Sequence, residues 1–293
     1  MKVLITGGNG FIGRNLKEQL ERKHDVFAPA SKELDLLDKD ETERYLNKHH
    51  FDLILHAATW NATRNSQKDL SKVLENNLLM FFNLVKFKKD FGRLINFGSG
   101  AEYDRVNWMP KMREDYFDQH VPKEGYGLSK YKISKSIEDM DNAVNLRLFA
   151  VFGKYEDWEI RFVSNACCKA VYDLPITIKQ NVVFDYMHID DLVKIIEWFM
   201  NNKPRFKQYN VCTGTTYDLK TIAKKVIAAS GKKLRILVKK EGLGREYSGD
   251  NSRLMSELGD FKFALIDEKI KELYSWYLSR KSSIDRNKLL VDK

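Results

Sequence analysis

Short apolar runs alternate along this chain with longer stretches whose apolar residues recur at helical spacing. The runs predict strands and the longer stretches predict helices. Strands alternating with helices are typical of a parallel, doubly wound sheet, so we predict the α/β fold class. The predicted strands are residues 3–6, 25–28, 53–56, 94–97, 143–149 and 209–211, and the predicted helices are about 15–21, 41–48 and 70–89.

The later part of the chain breaks this alternation without a proline-rich hinge or an internal repeat. We therefore predict that the sheet domain comprises residues 1–153 together with about 184–213. Insertions after the later strands, about 154–183 and 214–293, are predicted to form a smaller, mostly C-terminal lobe that binds the substrate.

Composition narrows the function classes. Of the 293 residues, 43% are hydrophobic and 31% are charged, as in a packed globular protein. No apolar run approaches the roughly 20 residues that span a bilayer, and the first run is too short for a secretory signal, so we expect a cytoplasmic protein without a membrane partner. Its three cysteines form no CxxC pair, so neither a disulfide framework nor a metal site is indicated.

The formal net charge of +9 leaves the partner open among nucleic acid, an anionic membrane surface and a phosphorylated small molecule. The basic residues are scattered and interleaved with apolar ones, which is typical of solvated surface. We therefore expect no nucleic-acid partner and favour a phosphorylated small molecule.

A glycine-rich turn follows the first predicted strand. Gly7, Gly10 and Gly13 stand between this strand and the next helix, where a tight turn, a close phosphate and free N–H groups all favour glycine. This context predicts a Rossmann-type dinucleotide site. The residues expected to contact the cofactor here are Gly7, Asn9, Gly10, Phe11, Ile12 and Gly13.

The end of the second predicted strand bears on the choice of nicotinamide cofactor. An NAD site usually places an acid there for the ribose hydroxyls, but the chain continues with Ser31 and Lys32, which suit a 2′-phosphate. We therefore predict NADP, with NAD as the alternative, and Arg14 as a further cation for this region. Asp38 suits a helix cap, and its segment resembles the loop that covers the adenine in a family of dinucleotide-binding enzymes.

Three residues suggest proton-transfer chemistry. Tyr126 and Lys130 are four residues apart and share one face of a helix. A neighbouring ammonium is expected to lower the pKa of the tyrosine from about 10, which makes Tyr126 a general acid/base. Ser99 follows a predicted strand at the sheet edge where ligands bind, so we expect it to orient the substrate oxygen.

The order of these motifs, together with residues 146–153, resembles the extended short-chain dehydrogenases/reductases of the NAD-dependent epimerase/dehydratase family. The similarity covers most of the chain. It is strongest to family members that modify nucleotide sugars and that resemble GDP-fucose synthase or dTDP-4-dehydrorhamnose reductase. The resemblance implies homodimers and a role in surface polysaccharide precursor synthesis. It adds further cofactor-binding residues: His56, Ala57, Ala58, Asn77, Phe149 and Val151, together with Tyr126 and Lys130.

The residues after Ser99 separate the reactions of this family. Sugar-nucleotide dehydratases carry an Asp–Glu pair where this chain has Gly100 and Ala101. Fucose synthases use a cysteine close to the position of Ala101 and a histidine, whereas no histidine occurs between His120 and His188. We therefore predict hydride transfer alone, as an NADP-dependent reductase of a nucleotide-activated 4-keto sugar.

Two alternatives remain at this point. A nucleotide-sugar 4-epimerase with tightly bound NAD would use the same three residues, and a catalytically silent NADP-binding sensor would not need all of them intact. The predicted substrate-binding residues are Ser99, Gly100 and Ala101 at the sugar and Arg161, Asn165, Lys169, Arg245 and Arg253 for the diphosphate.

Overall fold

A computed structural model describes residues 1–60 and 67–291. The strands in these residues are β1 (Lys2–Thr6), β2 (Asp25–Phe27), β3 (Phe51–His56), β4 (Phe91–Ser99), β5 (Ala143–Leu148), β6 (Ala150–Phe152), β7 (Ile176–Asn181), β8 (Val183–His188), β9 (Gln208–Val211), β10 (Thr216–Asp218) and β11 (Ile236–Leu243). The helices are α1 (Phe11–Leu20), α2 (Lys39–His49), α3 (Val73–Val85), α4 (Gly125–Glu138), α5 (Phe162–Val171), α6 (Ile189–Asn201), α7 (Leu219–Ser230), α8 (Ser252–Leu258), α9 (Ile266–Leu278) and α10 (Arg286–Leu290).

The central sheet has the order β2-β1-β3-β4-β5-β9 within the described residues. All of its strands run parallel. β4 and β5 are buried along most of their length, as expected of parallel strands that are covered on both faces. The predicted α/β, doubly wound fold is therefore confirmed, and its switch point lies between β1 and β3, where chain order reverses.

Helices cover both faces of this sheet. One core joins the central strands to α1 and α6 through buried residues such as Leu16 and Ile196. The other core joins them to α2, α3 and α4 through residues such as Phe81 and Ile137. The predicted helix at about 70–89 begins as a 3₁₀ turn, Leu70–Lys72, before α3.

A separate hydrophobic core lies outside the central sheet and is called the second core, to distinguish it from the two cores on the faces of the sheet. It is formed by α5, α7, α9 and α10 with β7 and β11, around residues such as Val163 and Ile270. Leu254 on α8 and the following residues up to Phe263 pack instead on the central core, although they fall within the predicted lobe at 214–293. The division into domains stays a prediction.

No helix in residues 1–60 and 67–291 is long and apolar enough to cross a membrane. In the same residues, no His, Cys, Asp and Glu side chains gather into a group that could hold a metal ion.

A buried carboxyl group in the second core predicts a pH-dependent stability. Glu156 is 7% exposed, and its Oε2 accepts a hydrogen bond from the Ser164 hydroxyl at 2.5 Å. Burial raises the pKa of Glu156 to about 8. As pH rises from about 4.5 to 8, the unfolded chain loses this proton first, so the free energy of unfolding falls.

We expect Glu156→Gln to remove this dependence. Between pH 5 and 8 the wild-type free energy of unfolding should fall by about 2–4 kcal/mol more than that of the variant. Urea unfolding at both pH values measures the difference, and Glu268→Gln, at an exposed carboxylate on α9, is the control. Parallel pH curves for wild type and Glu156→Gln would contradict the prediction.

Candidate active site

The turn between β1 and α1 is built for glycine. Gly7 has a φ of +69°, and a Cβ there would lie 2.8 Å from the backbone of Ala58. A Cβ on Gly13 would lie 2.2 Å from the carbonyl oxygen of Gly7. Side chains at these two positions would push the turn, the start of α1 and the end of β3 apart.

The start of α1 suits an anionic group. The N-cap of α1 is Gly10, which has no side chain that could cap the helix, and the described first turn contains no acidic residue. Asn9 and Gly10 are exposed, while Phe11 and Ile12 are half-buried. Free N–H groups and the positive end of the helix dipole fit the pyrophosphate of a dinucleotide.

The structure separates the cations predicted near the ribose. Ser31 and Lys32 are exposed after β2, as expected for contacts to a 2′-phosphate. Arg14 instead lies over the ring of Tyr155, with 4.0 Å between guanidinium carbon and ring centroid. Asp38 caps α2, since its Oδ1 accepts a hydrogen bond from the Glu41 N–H at 2.9 Å.

His56 ends β3 next to the glycine turn. Its Nδ1 lies 2.9 Å from the Thr6 hydroxyl, whose oxygen also accepts a hydrogen bond from the Ala58 N–H at 3.1 Å. Burial and the charge of Lys130 lower the pKa of His56 to about 3. His56 is therefore neutral at physiological pH and fixes the loop containing Ala57 and Ala58.

Asn77 of α3 supports the same loop. Its Oδ1 accepts hydrogen bonds from the Trp60 N–H at 2.7 Å and from the Thr59 hydroxyl at 3.2 Å. Its Nδ2 donates to the Ser129 hydroxyl at 3.3 Å. The predicted cofactor residue Asn77 thus ties the end of β3 to α4.

Ser99 and Tyr126 approach each other from β4 and α4. Ser99 is the last residue of β4 and the N-cap of the 3₁₀ turn Gly100–Tyr103. Tyr126 is the second residue of α4, whose N-cap Glu124 accepts a hydrogen bond from the Tyr126 N–H at 2.9 Å. A Cβ on Gly127 would lie 2.8 Å from the Ala101 carbonyl oxygen, so glycine allows the turn and the helix to approach closely.

Lys130 completes this group from the next turn of α4. Its ammonium donates to the Phe97 carbonyl at 2.7 Å and lies 5.9 Å from the centroid of the Tyr126 ring. Burial lowers the pKa of Lys130 to about 8, and the negative charge of Glu102 opposes this shift. The structure thus brings the three predicted catalytic residues together.

The electrostatics of Tyr126 differ from the sequence expectation. Burial raises the pKa of Tyr126, while a hydrogen bond from Ser99 and the charge of Arg161 oppose that rise. The lowered pKa expected from Lys130 is therefore not found, because the lysine ammonium extends to the Phe97 carbonyl and the effect of burial dominates at the half-buried tyrosine. In this state Tyr126 is a protonated phenol, which suits a general acid.

Tyr247 is a site residue that the sequence reasoning missed. Its hydroxyl lies 3.5 Å from that of Ser99, and a Cβ on Gly100 would lie 2.7 Å from both Tyr247 and Phe149. The ring of Trp108 lies 4.3 Å from that of Tyr247, centroid to centroid. No local motif marks Tyr247, which lies 148 residues after Ser99 in the chain.

We expect Tyr247→Phe to lower kcat/KM about tenfold, because one hydrogen bond at the Ser99 hydroxyl is lost while the aromatic packing remains. Steady-state kinetics with the wild-type substrate measures this loss. Tyr274→Phe, at a buried tyrosine in the second core, is the control. An unchanged kcat/KM for Tyr247→Phe would place its hydroxyl outside the reaction.

The predicted diphosphate-binding residues separate along α5. Arg161 is the N-cap of α5, and its charge acts on Tyr126. The Asn165 amide donates to the Trp158 carbonyl at 3.0 Å. Lys169 is buried roughly 12 Å further along the helix axis, where its ammonium donates to the Thr177 hydroxyl at 2.5 Å. Arg161 is therefore near enough for its charge to act on Tyr126, whereas Lys169 is held at Thr177.

Arg245 and Arg253 hold backbone carbonyls in this structure. Arg245 donates to the carbonyl oxygens of Arg105, at 3.1 Å, and of Val106. Arg253 donates to the Gln208 carbonyl at 3.1 Å, and its guanidinium carbon lies 4.6 Å from the Phe206 ring centroid. Among the predicted cofactor residues, Val151 is half-buried against the core that joins the central strands to α1 and α6.

Comparisons with known proteins agree with this geometry. The family described as "NAD dependent epimerase/dehydratase family" matches residues 3–212. A GDP-L-colitose synthase of Yersinia pseudotuberculosis is 25% identical, with 97% of this chain and 100% of that protein covered.

Solved structures share the fold. A UDP-glucose 4-epimerase of Thermotoga maritima, solved with UDP-glucose, has a TM-score of 0.81 at 20% identity and covers 97% of this chain and 100% of its own. A GDP-mannoheptose C4 reductase of Campylobacter jejuni, solved with NADP, has a TM-score of 0.80 at 19% identity, with 94% and 97% covered. Three findings agree: the family match, the full-length relative, and the convergence of Ser99, Tyr126 and Lys130. The chain belongs to the NAD dependent epimerase/dehydratase family, as its motifs implied, and is an NAD(P)-dependent enzyme of the nucleotide-sugar oxidoreductase or epimerase type.

Proposed function

We propose that this protein is an NADP-dependent reductase of a nucleotide-activated 4-keto sugar. The observation that carries the proposal is the convergence of Ser99, Tyr126 and Lys130 at the carboxyl edge of β4, next to a turn that begins with Gly100 and Ala101. This turn offers a hydrogen-bonding serine and a proton donor. It does not place an acid–base pair for dehydration at positions 100 and 101.

Each of the three side chains has a role in ketone reduction. Ser99 donates a hydrogen bond to the substrate oxygen, and Tyr126, protonated in the buried site, delivers the proton to that oxygen. NADPH supplies the hydride when it is bound. Lys130, whose ammonium lies 5.9 Å from the centroid of the Tyr126 ring, holds the nicotinamide ribose.

The cofactor preference rests on the surroundings of β2. The glycine turn and the open start of α1 fit any nicotinamide dinucleotide. Exposed Ser31 and Lys32 supply a hydroxyl and a cation for a 2′-phosphate, while residues 28–30 carry no acid for a free ribose hydroxyl. This combination favours NADP over NAD.

The substrate class is supported by the relatives. The Yersinia pseudotuberculosis relative is a GDP-L-colitose synthase, and the Campylobacter jejuni structure is that of a GDP-mannoheptose C4 reductase. The charge of Arg161 acts on Tyr126, which favours Arg161 as the cation that would neutralise a diphosphate close to the reacting sugar. We propose a GDP-linked substrate first, in the synthesis of a surface polysaccharide precursor.

Absorbance at 340 nm tests the proposal directly. NADPH and then NADH are offered with GDP-, dTDP-, UDP- and CDP-linked 4-keto sugars, each checked with a reductase of known activity. NADPH consumption with one sugar supports the proposal. The absence of consumption throughout, together with NAD released on denaturation, would replace it with the 4-epimerase alternative.

Homodimerisation belongs to the same proposal. Leu79 and Phe82 on α3 are large apolar side chains with exposures of 41% and 43%, beside α4, which carries Tyr126. A face of this kind suits a helix-to-helix contact with a second copy. Light scattering that shows only monomer at working concentration would remove the dimer from the proposal.

A further inference from the structure

A fully buried carboxylate lies one turn after Ser99. Glu102 has 0% exposure, and its Oε1 accepts a hydrogen bond from the Ser99 N–H at 2.9 Å. A Cβ on Gly98 would lie 2.2 Å from the same oxygen, so the glycine before Ser99 leaves room for the carboxylate. Gly98, Ser99 and Glu102 thus form one local unit.

Arg147 of β5 is the counter-ion of this carboxylate. Its Nε lies 2.5 Å from Glu102 Oε2, and both side chains are 0% exposed. Asn145 donates to both carboxylate oxygens at 3.2 Å, and Arg147 donates to the Ser134 hydroxyl at 2.9 Å. The pair is therefore well hydrogen-bonded inside the protein.

A gain in stability from packing is not enough to explain why the Glu102–Arg147 ion pair is buried here. Desolvation of two charges costs several kcal/mol, and apolar residues of similar volume often stabilise a fold as well or better. We therefore look for a role of the Glu102 charge in the neighbouring site, in addition to its contribution to stability. The neighbours of Glu102 indicate what that role is.

Glu102 acts on the catalytic groups through two routes. The 3₁₀ turn that it closes packs on α4, where Gly127 meets the Ala101 carbonyl. Lys130, 5% exposed, donates to the Phe97 carbonyl, and the next residue, Gly98, lies against Glu102 Oε1. The two charges are therefore close together, and the charge of Glu102 opposes the fall in the pKa of Lys130 that burial causes.

Three further polar groups near Lys130 in the described residues carry no negative charge. They are Tyr126 on its own helix, neutral His56 at the end of β3 and the Phe97 carbonyl of β4. Arg147, which holds Glu102, is itself a cation. Glu102 is therefore the group whose charge favours a protonated Lys130.

We propose that Glu102 is a positioning residue for the reaction: its carboxylate fixes the backbone of Ser99, and its negative charge keeps Lys130 protonated in the dry site. The role in turnover rests on the proposed function, whereas the effect on the lysine charge does not.

Two substitutions separate the two parts. Glu102→Gln keeps an acceptor for the Ser99 N–H but removes the charge, so the pKa of Lys130 should fall by about one unit. The protonated lysine is then lost at lower pH, and the alkaline fall of kcat/KM should begin at lower pH. Glu102→Asp keeps the charge but is one methylene short of Ser99, so kcat should fall about tenfold or more with the Lys130 titration near that of wild type.

Lys130 is measured directly by NMR titration of full-length protein labelled with ¹³C,¹⁵N-lysine, with Lys130→Arg to assign the signal. Glu114→Gln is the matched control, since Glu114 is also a buried carboxylate that accepts a backbone N–H, that of Asn210 at 2.9 Å. If Glu102→Gln fails to fold because Arg147 is left unpaired, the double variant Glu102→Gln, Arg147→Gln is titrated against Arg147→Gln, so that the two proteins differ only in the charge at position 102.

An unchanged Lys130 titration in the charge-removing variant would overturn the electrostatic part, and a wild-type kcat for Glu102→Asp would overturn the positioning part. If no nucleotide sugar is turned over by wild type, the proposed function fails by itself. The NMR titration still decides the effect of Glu102 on Lys130 in that case, and the affinity for NADPH, measured by fluorescence, reports whether the lysine change reaches the cofactor site.

Discussion

Tyr126→Phe is expected to lower kcat by at least about 10³-fold while the affinity for NADPH changes little. General acid catalysis contributes about 10²–10⁴-fold, and the variant lacks the proton that Tyr126 delivers. The ring remains beside Ser99 and Lys130, so the packing of α4 is kept. Single-turnover kinetics at 340 nm and fluorescence titration with NADPH measure the two quantities separately.

Tyr131→Phe is the control for this experiment. Tyr131 lies on the same helix, but its hydroxyl donates to Asp118 outside the catalytic group. This variant should retain wild-type kcat. A Tyr126→Phe enzyme within tenfold of wild type would show that the proton comes from another group, with Tyr247 as the next candidate because of its contact with Ser99.

Gly13→Ala is expected to abolish cofactor binding at the concentrations used in an assay. The new methyl group would lie 2.2 Å from the Gly7 carbonyl oxygen, and that neighbour is backbone, which cannot rotate away. The turn must therefore move at the point where the pyrophosphate is expected. A loss of about 3 kcal/mol corresponds to a ~100-fold weaker Kd for NADPH.

Isothermal titration calorimetry with NADPH measures the Kd, and circular dichroism reports whether the variant is folded. Gly125→Ala is the matched control, because a Cβ there would have no closer neighbour than Leu74 at 3.7 Å among the described residues. Binding by Gly13→Ala with a wild-type Kd would mean that the glycine turn is a packing feature and not the cofactor site.

Local spacing explains why much of the site is readable from the sequence. Gly7, Gly10 and Gly13 are set by one strand, one turn and one helix, and Tyr126 and Lys130 by the period of a single helix. These arrangements depend on neighbours within a few residues. The fold class follows in the same way, since strand and helix periods differ and alternate along the chain.

Residues far apart in sequence behave differently. Tyr247 reaches Ser99 across 148 positions, and Arg147 pairs with Glu102 across 45. No spacing of residues along the sequence predicts either contact. Each one depends on how a loop of the C-terminal part or a neighbouring strand packs against β4. The predicted effect of Lys130 on Tyr126 was wrong for a related reason: helical spacing places two side chains on one face, but the Phe97 carbonyl of β4 decides where the ammonium lies.

The sequence by itself therefore determined the sheet architecture and the glycine turn, and it singled out Ser99, Tyr126 and Lys130, which the fold brings together. Only the tertiary structure decided that Arg14 lies on Tyr155, that Lys169 is buried away from Ser99 and that a buried carboxylate supports the serine. Local backbone geometry is encoded by residues a few positions apart. Contacts between elements, and the burial that shifts a pKa, arise only when those elements pack together.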